Sequence, residues 1–150
     1  MKRFIALLVA TMVLLTGMMT AFAQINISID GTIADIPEDM GKAVAKDNRT
    51  FVPVRFVLEY FGYNVEFLKE DNQIMGTDGK GNLFMMQIGS PYLFFKSVDK
   101  TDTTKVTMDV TPYVDYDMRR VYVPARFLVE EIGYDVDYDG NTKTVLITSK

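Results

Sequence analysis

Neither cysteine nor histidine occurs in this 150-residue chain, and tryptophan is also absent. Without cysteine, no disulfide can cross-link the fold, so its stability must come from the apolar core alone. Zinc and other metals that prefer nitrogen or sulfur ligands lose their usual partners, so that only ions with oxygen ligands, such as calcium, stay chemically plausible. The same absences exclude histidine-based triads and cysteine nucleophiles.

Basic residues are outnumbered, with 16 Lys and Arg against 20 Asp and Glu. Loss of residues 1–23 would remove two of the basic residues and none of the acidic ones, which leaves 14 − 20 = −6. An acidic surface repels the phosphates of nucleic acids. We therefore expect no nucleic-acid partner and, once the leader is removed, no membrane association.

The first 23 residues have the pattern of a secretory signal peptide. Two basic residues precede the apolar run Phe4–Leu15, and Ala21–Ala23 forms a small-x-small cleavage site. The alternative is an uncleaved anchor, since the apolar stretch is about long enough to span a bilayer. We expect cleavage before Gln24, which leaves 150 − 23 = 127 residues that are secreted or held at the cell surface.

An internal repeat dominates the remaining sequence. TFVPVRFVLEYFGYNVEF, which begins at Thr50, aligns without gaps with VYVPARFLVEEIGYDVDY, which begins at Val121. Nine of the seventeen aligned positions from Arg49 to Val65 are identical, including Arg49 with Arg120. The sequence therefore contains two related units, which we place at residues 24–90 and 91–150.

Each copy of the repeat predicts a strand, a short helix and a hairpin. β-Branched and aromatic residues favour the strand, and Pro53 and Pro124 suit the first turn of the helix. Apolar residues at helical spacing predict the buried helix face, listed here for both copies: Val54, Val57, Leu58 and Phe61; Ala125, Leu128, Val129 and Ile132. Gly62 and Gly133 predict the helix ends, and alternation then predicts a hairpin.

The two copies are expected to fold together. A unit of about 60 residues without disulfides buries too little surface to be secure alone. We therefore predict one pseudo-symmetric body in which the repeats pack on each other. The polar segments 36–47 and 97–104 are predicted to be loops.

The doubled VPxRF...Gly motif resembles the copper amine oxidase N-terminal domain-like family. The likeness includes IDG at Ile29, DNRTFVPVRF from Asp47, QIGS from Gln87 and MDVTPYV from Met108. It implies an α+β fold in which antiparallel β-sheets each curve around one short helix. It also implies a stalk-type module, which in amine oxidases lies remote from the chemistry. In Gram-positive bacteria similar exported modules occur beside hydrolase or cell-wall modules.

The oxidase activity itself does not transfer to this chain. Such enzymes make a quinone from Tyr within Asn-Tyr-Asp/Glu and bind copper through histidines. The nearest string here, Asp137-Tyr138-Asp139, lacks the Asn, and no histidine is available. We therefore assign no catalytic, cofactor-binding or metal-binding residues, and we expect no cofactor.

Several residue groups resemble functional sites. Asp135-x-Asp137-x-Asp139-Gly140 resembles the start of a calcium loop, but its twelfth position is Leu146 instead of Glu, which favours an acidic strand face while leaving ion binding open. Three other groups could have a function but are more simply explained as structural residues. Met85-Met86 could be soft metal ligands, but within an apolar strand they are expected to pack in the core. Tyr92, Tyr113, Tyr116 and Tyr122 could form a stacking face but also suit half-buried sheets, and the acid pairs Glu38-Asp39 and Glu130-Glu131 could act in acid–base catalysis but are expected to be solvated.

Arg55 and Arg126 carry the most specific hypothesis. Each lies in the first helical turn, where the helix dipole disfavours a cation. We hypothesise that each guanidinium bonds strand carbonyls or a carboxylate and so ties its helix to the sheet.

The predicted function is a non-catalytic exported module that binds or spaces something at the bacterial cell surface or wall. The alternative is an inhibitor or regulator of an extracellular enzyme. A third hypothesis is a small hydrolase built on carboxylates, which would need two acids in one concave pocket. The expected partner is an extracellular protein or cell-wall component of unknown identity.

Overall fold

The structure, a computed structural model, describes residues 24–150, so the predicted leader of residues 1–23 lies outside the described part. This part of the chain contains thirteen strands, two α-helices of seven residues each and one 3-10 turn, Glu38–Met40. The strands are β1 (Asn26–Ile29), β2 (Thr32–Ile33), β3 (Val44–Lys46), β4 (Arg49–Pro53), β5 (Tyr63–Leu68), β6 (Gln73–Asp78), β7 (Leu83–Gln87), β8 (Tyr92–Lys96), β9 (Thr104–Thr107), β10 (Tyr113–Asp115), β11 (Arg120–Pro124), β12 (Tyr134–Asp139) and β13 (Thr144–Ser149). The helices are α1 (Val54–Tyr60) and α2 (Ala125–Glu131).

Three sheets make up the α+β architecture. Their strand orders are β12-β13-β1-β2, β10-β11-β4-β3 and β5-β6-β7-β8-β9. All pairings between these strands are antiparallel except that of β1 with β13, which is parallel. The expectation of purely antiparallel sheets is therefore wrong at this one ladder, where an N-terminal strand joins a C-terminal one.

The strands of the two motif copies pair with each other at the centre of the molecule. β4 and β11 run antiparallel, with Val52 opposite Val123. These two valines occupy the same position of the repeat and are both fully buried. Because the two strands run antiparallel, the first residues of each strand lie beside the helix that follows the other strand.

The sheets cross the predicted repeat boundary at residue 90. β1, at the start of the first predicted unit, completes the sheet of β12 and β13. β8 and β9, which belong to the second predicted unit, complete the sheet of β5, β6 and β7. Each half of the chain thus supplies strands to the sheet of the other half.

The two helices bury the predicted faces. The buried residues that the spacing predicted are, in α1, Val54, Val57 and Leu58, and in α2, Ala125, Leu128 and Val129. Phe61 and Ile132 are partly buried against the same core. Phe61 packs on Tyr134 with a ring-centroid distance of 4.3 Å, so the end of α1 contacts the second copy of the motif. These predictions of helix position and orientation are confirmed.

The helix ends differ from the prediction only at the prolines. Pro53 and Pro124 are the last residues of their strands and precede the first helical residue, instead of lying in the first turn. Their φ angles of −63° and −60° are compatible with both the preceding strand and the following helix. Gly62 and Gly133 end the helices with φ of +83° and +96°, a conformation in which glycine avoids a Cβ penalty.

The polar segment 36–47 is more ordered than predicted. It contains the 3-10 turn and the edge strand β3, which pairs with β4. Local polarity indicated a loop, but pairing with the neighbouring strand supplied the hydrogen bonds that local sequence cannot reveal. Segment 97–104, by contrast, is irregular until β9 begins at Thr104, as predicted.

Candidate functional site

Two grooves lie on either side of the β4–β11 ladder, with cavity volumes of about 490 and 560 Å³. The Arg49 groove is lined by Arg49, Asp109, Arg126, Asp137, Tyr138 and Val145, among others. The Arg120 groove is lined by Arg120, Met40, Arg55, Glu66, Phe67 and Ile74, among others. Each groove combines the first arginine of one motif strand with the helix and hairpin of the other copy.

Equivalent repeat positions line both grooves. Adding 71 to Arg55, Glu66, Phe67 and Ile74 gives the four counterparts Arg126, Asp137, Tyr138 and Val145. Subtracting 71 from Arg120 gives Arg49. The register of the central ladder explains this likeness, because paired residue numbers sum to 175 along it. Each helix also contacts the motif strand of the other copy, so Arg126 lines the same groove as Arg49, and Arg55 the same groove as Arg120.

The Arg49 groove is neutralised by an ion pair within the protein. Nε of Arg49 donates to Oδ2 of Asp109 at 3.0 Å, and Nη2 of the same guanidinium contacts that oxygen as well. The hydrogen bond from Arg49 lowers the pKa of Asp109, and the pKa of Arg49 is raised in turn. Arg126 lines the same groove, and its charge also lowers the pKa of Asp109.

The Arg120 groove lacks such a pair. The four ion pairs found within residues 24–150 do not include Arg120, and its buried Nε has no hydrogen-bond partner there. Arg119 also lines this groove, as do Asp39 and Glu66. Asp115 lies opposite Arg120 in the β10–β11 ladder, whereas Lys46 lies opposite Arg49 in the β3–β4 ladder.

Exposed aromatic side chains border the Arg120 groove. Phe67 on β5 is 40% exposed, and Tyr116 in the β10–β11 turn is 84% exposed. Each of these rings offers apolar surface next to the arginines. The groove can therefore make both apolar and charge-assisted contacts, but it offers no nucleophile paired with a base.

The hypothesis that Arg55 and Arg126 tie the helices to the sheets is wrong. Each side chain is exposed and pairs with the glutamate one turn later in its own helix, Arg55 with Glu59 at 3.5 Å and Arg126 with Glu130 at 3.8 Å. The physical reason is that both arginines lie on the groove side of the helix, away from its buried face. There they are free to take the nearest exposed carboxylate.

The acidic string on β12 does not converge on one point. Asp135 lies 3.6 Å from Nζ of Lys150, and Oδ1 of Asp137 accepts from the Tyr138 N–H. Asp139 accepts from the hydroxyl of Thr142 and from the N–H of Asn141, and these hydrogen bonds lower its pKa. No group of three possible metal-ligating His, Cys, Asp or Glu side chains occurs in the described part of the chain.

The other candidate groups are also dispersed. Met86 is buried while Met85 lies on the opposite face of β7 and is only partly buried. Tyr113 stacks on buried Tyr122 at 5.4 Å, but Tyr92 lies on a different sheet, so the four tyrosines do not form one face. Of the acid pairs, Glu130 is engaged with Arg126 on the helix surface and Asp39 lines the Arg120 groove.

The residues that sequence reasoning missed are Arg49 and Arg120. Their identity in the repeat alignment was visible, and this was the only available clue. Their different environments depend on Asp109, which is 60 residues from Arg49 in the sequence, and no local pattern could reveal that contact.

The described residues include no helix long and apolar enough to cross a membrane. The family model described as copper amine oxidase N-terminal domain matches residues 32–147. Among curated proteins and solved structures, no match to the chain was found.

Proposed function

Because this chain belongs to the copper amine oxidase N-terminal domain family, we propose that it acts as a non-catalytic exported module that binds or spaces a component of the bacterial cell surface or wall. The N-terminal domain of copper amine oxidases is itself non-catalytic. The observation that carries the proposal is the pair of grooves at equivalent repeat positions, which offer arginines and exposed aromatic rings for binding.

The proposal includes a pseudo-twofold relation between the two motif copies. It is supported by the pairing of Val52 with Val123 and by the offset of 71 residues that relates the linings of the two grooves. Such an arrangement presents two related surfaces on one rigid ladder. That suits a binding or spacing module better than an enzyme, which needs one specialised centre.

Export is supported by the sequence of the leader. The fractionation experiment uses the full chain in its own host, with mass spectrometry of the protein recovered from the medium, wall and membrane. We expect a chain that begins at Gln24 in the medium or wall fraction. A matched variant, Ala23→Lys, should block cleavage, because signal peptidases require a small residue there. Recovery of full-length protein from the membrane alone would refute export.

The binding role is tested by capture from the native wall and secreted proteins. We expect a wall component or a surface protein to be retained by the chain. Retention of one extracellular enzyme with loss of its activity would instead support the alternative, an inhibitor or regulator. Hydrolysis of wall material by the purified chain would refute the non-catalytic assignment.

A further inference from the structure

We propose that the outer face of the sheet of β5 to β9 binds a second copy of this chain, related to the first by a twofold axis that runs along the central strand β7. This interaction surface goes beyond the proposed function and does not depend on it. One row of five side chains, which the strand register places across this face, carries the proposal.

The row crosses all five strands at one level. Glu66 on β5 lies opposite Met75 on β6, and Met75 lies opposite Met85 on β7. Met85 in turn lies opposite Phe94 on β8, which lies opposite Lys105 on β9. Side chains directly opposite each other in a ladder project from the same face of the sheet. This face therefore carries an apolar stripe, Met75, Met85 and Phe94, with an acidic residue at one end and a basic residue at the other.

The apolar stripe lies on the face that points away from the core. Ile74 and Leu93, which alternate with it along their strands, project from the other face and are buried in the core. The three residues of the stripe are only partly buried, and within residues 24–150 they neither belong to the core nor pack against it. A contiguous apolar patch of this kind marks an interaction site when polar residues surround it.

The surroundings of the stripe are mostly polar. The flanking positions on the same face are, on one side, Asn64, Thr77, Leu83 and Lys96, and on the other, Leu68, Gln73 and Gln87. Most of the polar ones are exposed, so no other element of the described chain covers this face. An apolar centre with a polar rim is the usual anatomy of a protein–protein interface, and Met and Phe are enriched at such centres.

The order of residues along the row identifies the occupant as a second copy. A twofold axis along β7 sets each Met85 against its equivalent and each Met75 against Phe94 of the other copy. It also sets each Glu66 against Lys105 of the other copy. Every side chain of the row thus meets a complementary one, as an isologous interface requires. A uniformly acidic or basic partner would instead meet a like charge at one end of the row.

The two charged ends are available for this contact. Neither Glu66 nor Lys105 takes part in the four ion pairs found in the described part of the chain. Nζ of Lys105 lies 3.6 Å from the ring centroid of Tyr92, and Glu66 borders the Arg120 groove because β5 is an edge strand. Stacked sheets lie about 10 Å apart, with strand directions within about 30°. Exposed ion pairs contribute little affinity, so these charges mainly fix the orientation of the two copies.

The size of the face sets the expected affinity. Five strands spaced about 4.8 Å apart and about five residues long span roughly 24 by 17 Å, or about 400 Å². A standard interface buries about 800 Å² on each partner, so this contact belongs to the weak class. We therefore expect a dissociation constant on the order of 10–100 μM.

The test is sedimentation equilibrium of the chain as its host produces it, over concentrations from about 1 μM to about 1 mM. We expect the mean mass to rise from that of one chain to that of two. Met85→Lys should weaken association at least about tenfold, because two like charges would meet on the axis. Its melting temperature should be unchanged, because Met85 lies outside the core.

Ile33→Lys is the matched control, since Ile33 lies on another sheet and is 59% exposed. This variant should associate like the wild type. A wild-type chain that stays monomeric at every concentration would overturn the proposal. Equal association of Met85→Lys and the wild type would also overturn it, because association through the apolar leader would be insensitive to this substitution.

Two charge reversals test the twofold arrangement. Glu66→Lys and Lys105→Glu should each weaken self-association by about fivefold, because both ion pairs of the dimer become like-charged. An equimolar mixture of the two variants should associate like the wild type, because each reversed residue then meets an opposite charge. A mixture that associates no better than either variant alone would overturn this arrangement of the two copies.

Discussion

Ile27, at the centre of β1, provides the sharpest test of how the halves of the chain are joined. Its side chain is fully buried, and it lies opposite Val145 in the parallel ladder with β13. Ile27→Ala removes buried methyl and methylene groups and leaves a cavity, which typically costs about 2–5 kcal/mol. A domain of this size is stable by about 5–15 kcal/mol in total. At about 4 °C per kcal/mol, we expect the melting temperature to fall by about 8–20 °C.

The location of the effect matters more than its size. Because β1 belongs to the sheet of β12 and β13, native-state hydrogen exchange should accelerate in β13 more than in β6. Ile33→Ala is the control, since Ile33 lies on the neighbouring strand β2 but is 59% exposed. Its effect should stay within about 0.5 kcal/mol. If Ile27→Ala instead accelerated exchange in β6 and left β13 protected, the conclusion that β1 stabilises the sheet of β12 and β13 would be refuted.

Three further predictions concern single side chains. Arg126→Lys should change the unfolding free energy by no more than about 0.5 kcal/mol in thermal melts, because its pair with Glu130 is exposed; a loss of several times this size would restore the tether hypothesis. Gly41→Ala should cost about 1–3 kcal/mol in denaturant titrations, because its φ is +87° and a Cβ there would lie 2.6 Å from the Tyr122 hydroxyl; a neutral result would show that this contact can relax. Burial raises the pKa of Tyr63 from 10.0 to about 12. Between these two values the folded state keeps a proton that the unfolded chain releases. The contribution of Tyr63 to the free energy of unfolding is therefore fully present below pH 10 and should be lost as the pH rises through 12. Tyr63→Phe should lack this contribution to the alkaline decline, and a decline identical to that of the wild type would contradict the assignment.

The local elements of both motif copies could be predicted from the sequence. Helical spacing identified the buried residues of α1 and α2, and Gly62 and Gly133 marked the helix ends. These predictions succeeded because periodicity and backbone constraint act within a few residues of one another. The family could be recognised for the same reason, since the motif is a continuous stretch.

The tertiary structure alone decided which strands share a sheet and which of the two equivalent arginines pairs with a carboxylate. β1 joins β13 across more than a hundred residues, and its isoleucines Ile27 and Ile29 are buried in the single core that both motif copies share. Arg49 and Arg120 are identical in the repeat, yet only Arg49 has a carboxylate at its Nε–Nη2 edge. That difference arises from Asp109, which a segment 60 residues away in the sequence brings to Arg49. Sequence determines each local unit, but contacts between residues far apart in the chain form only when the units pack.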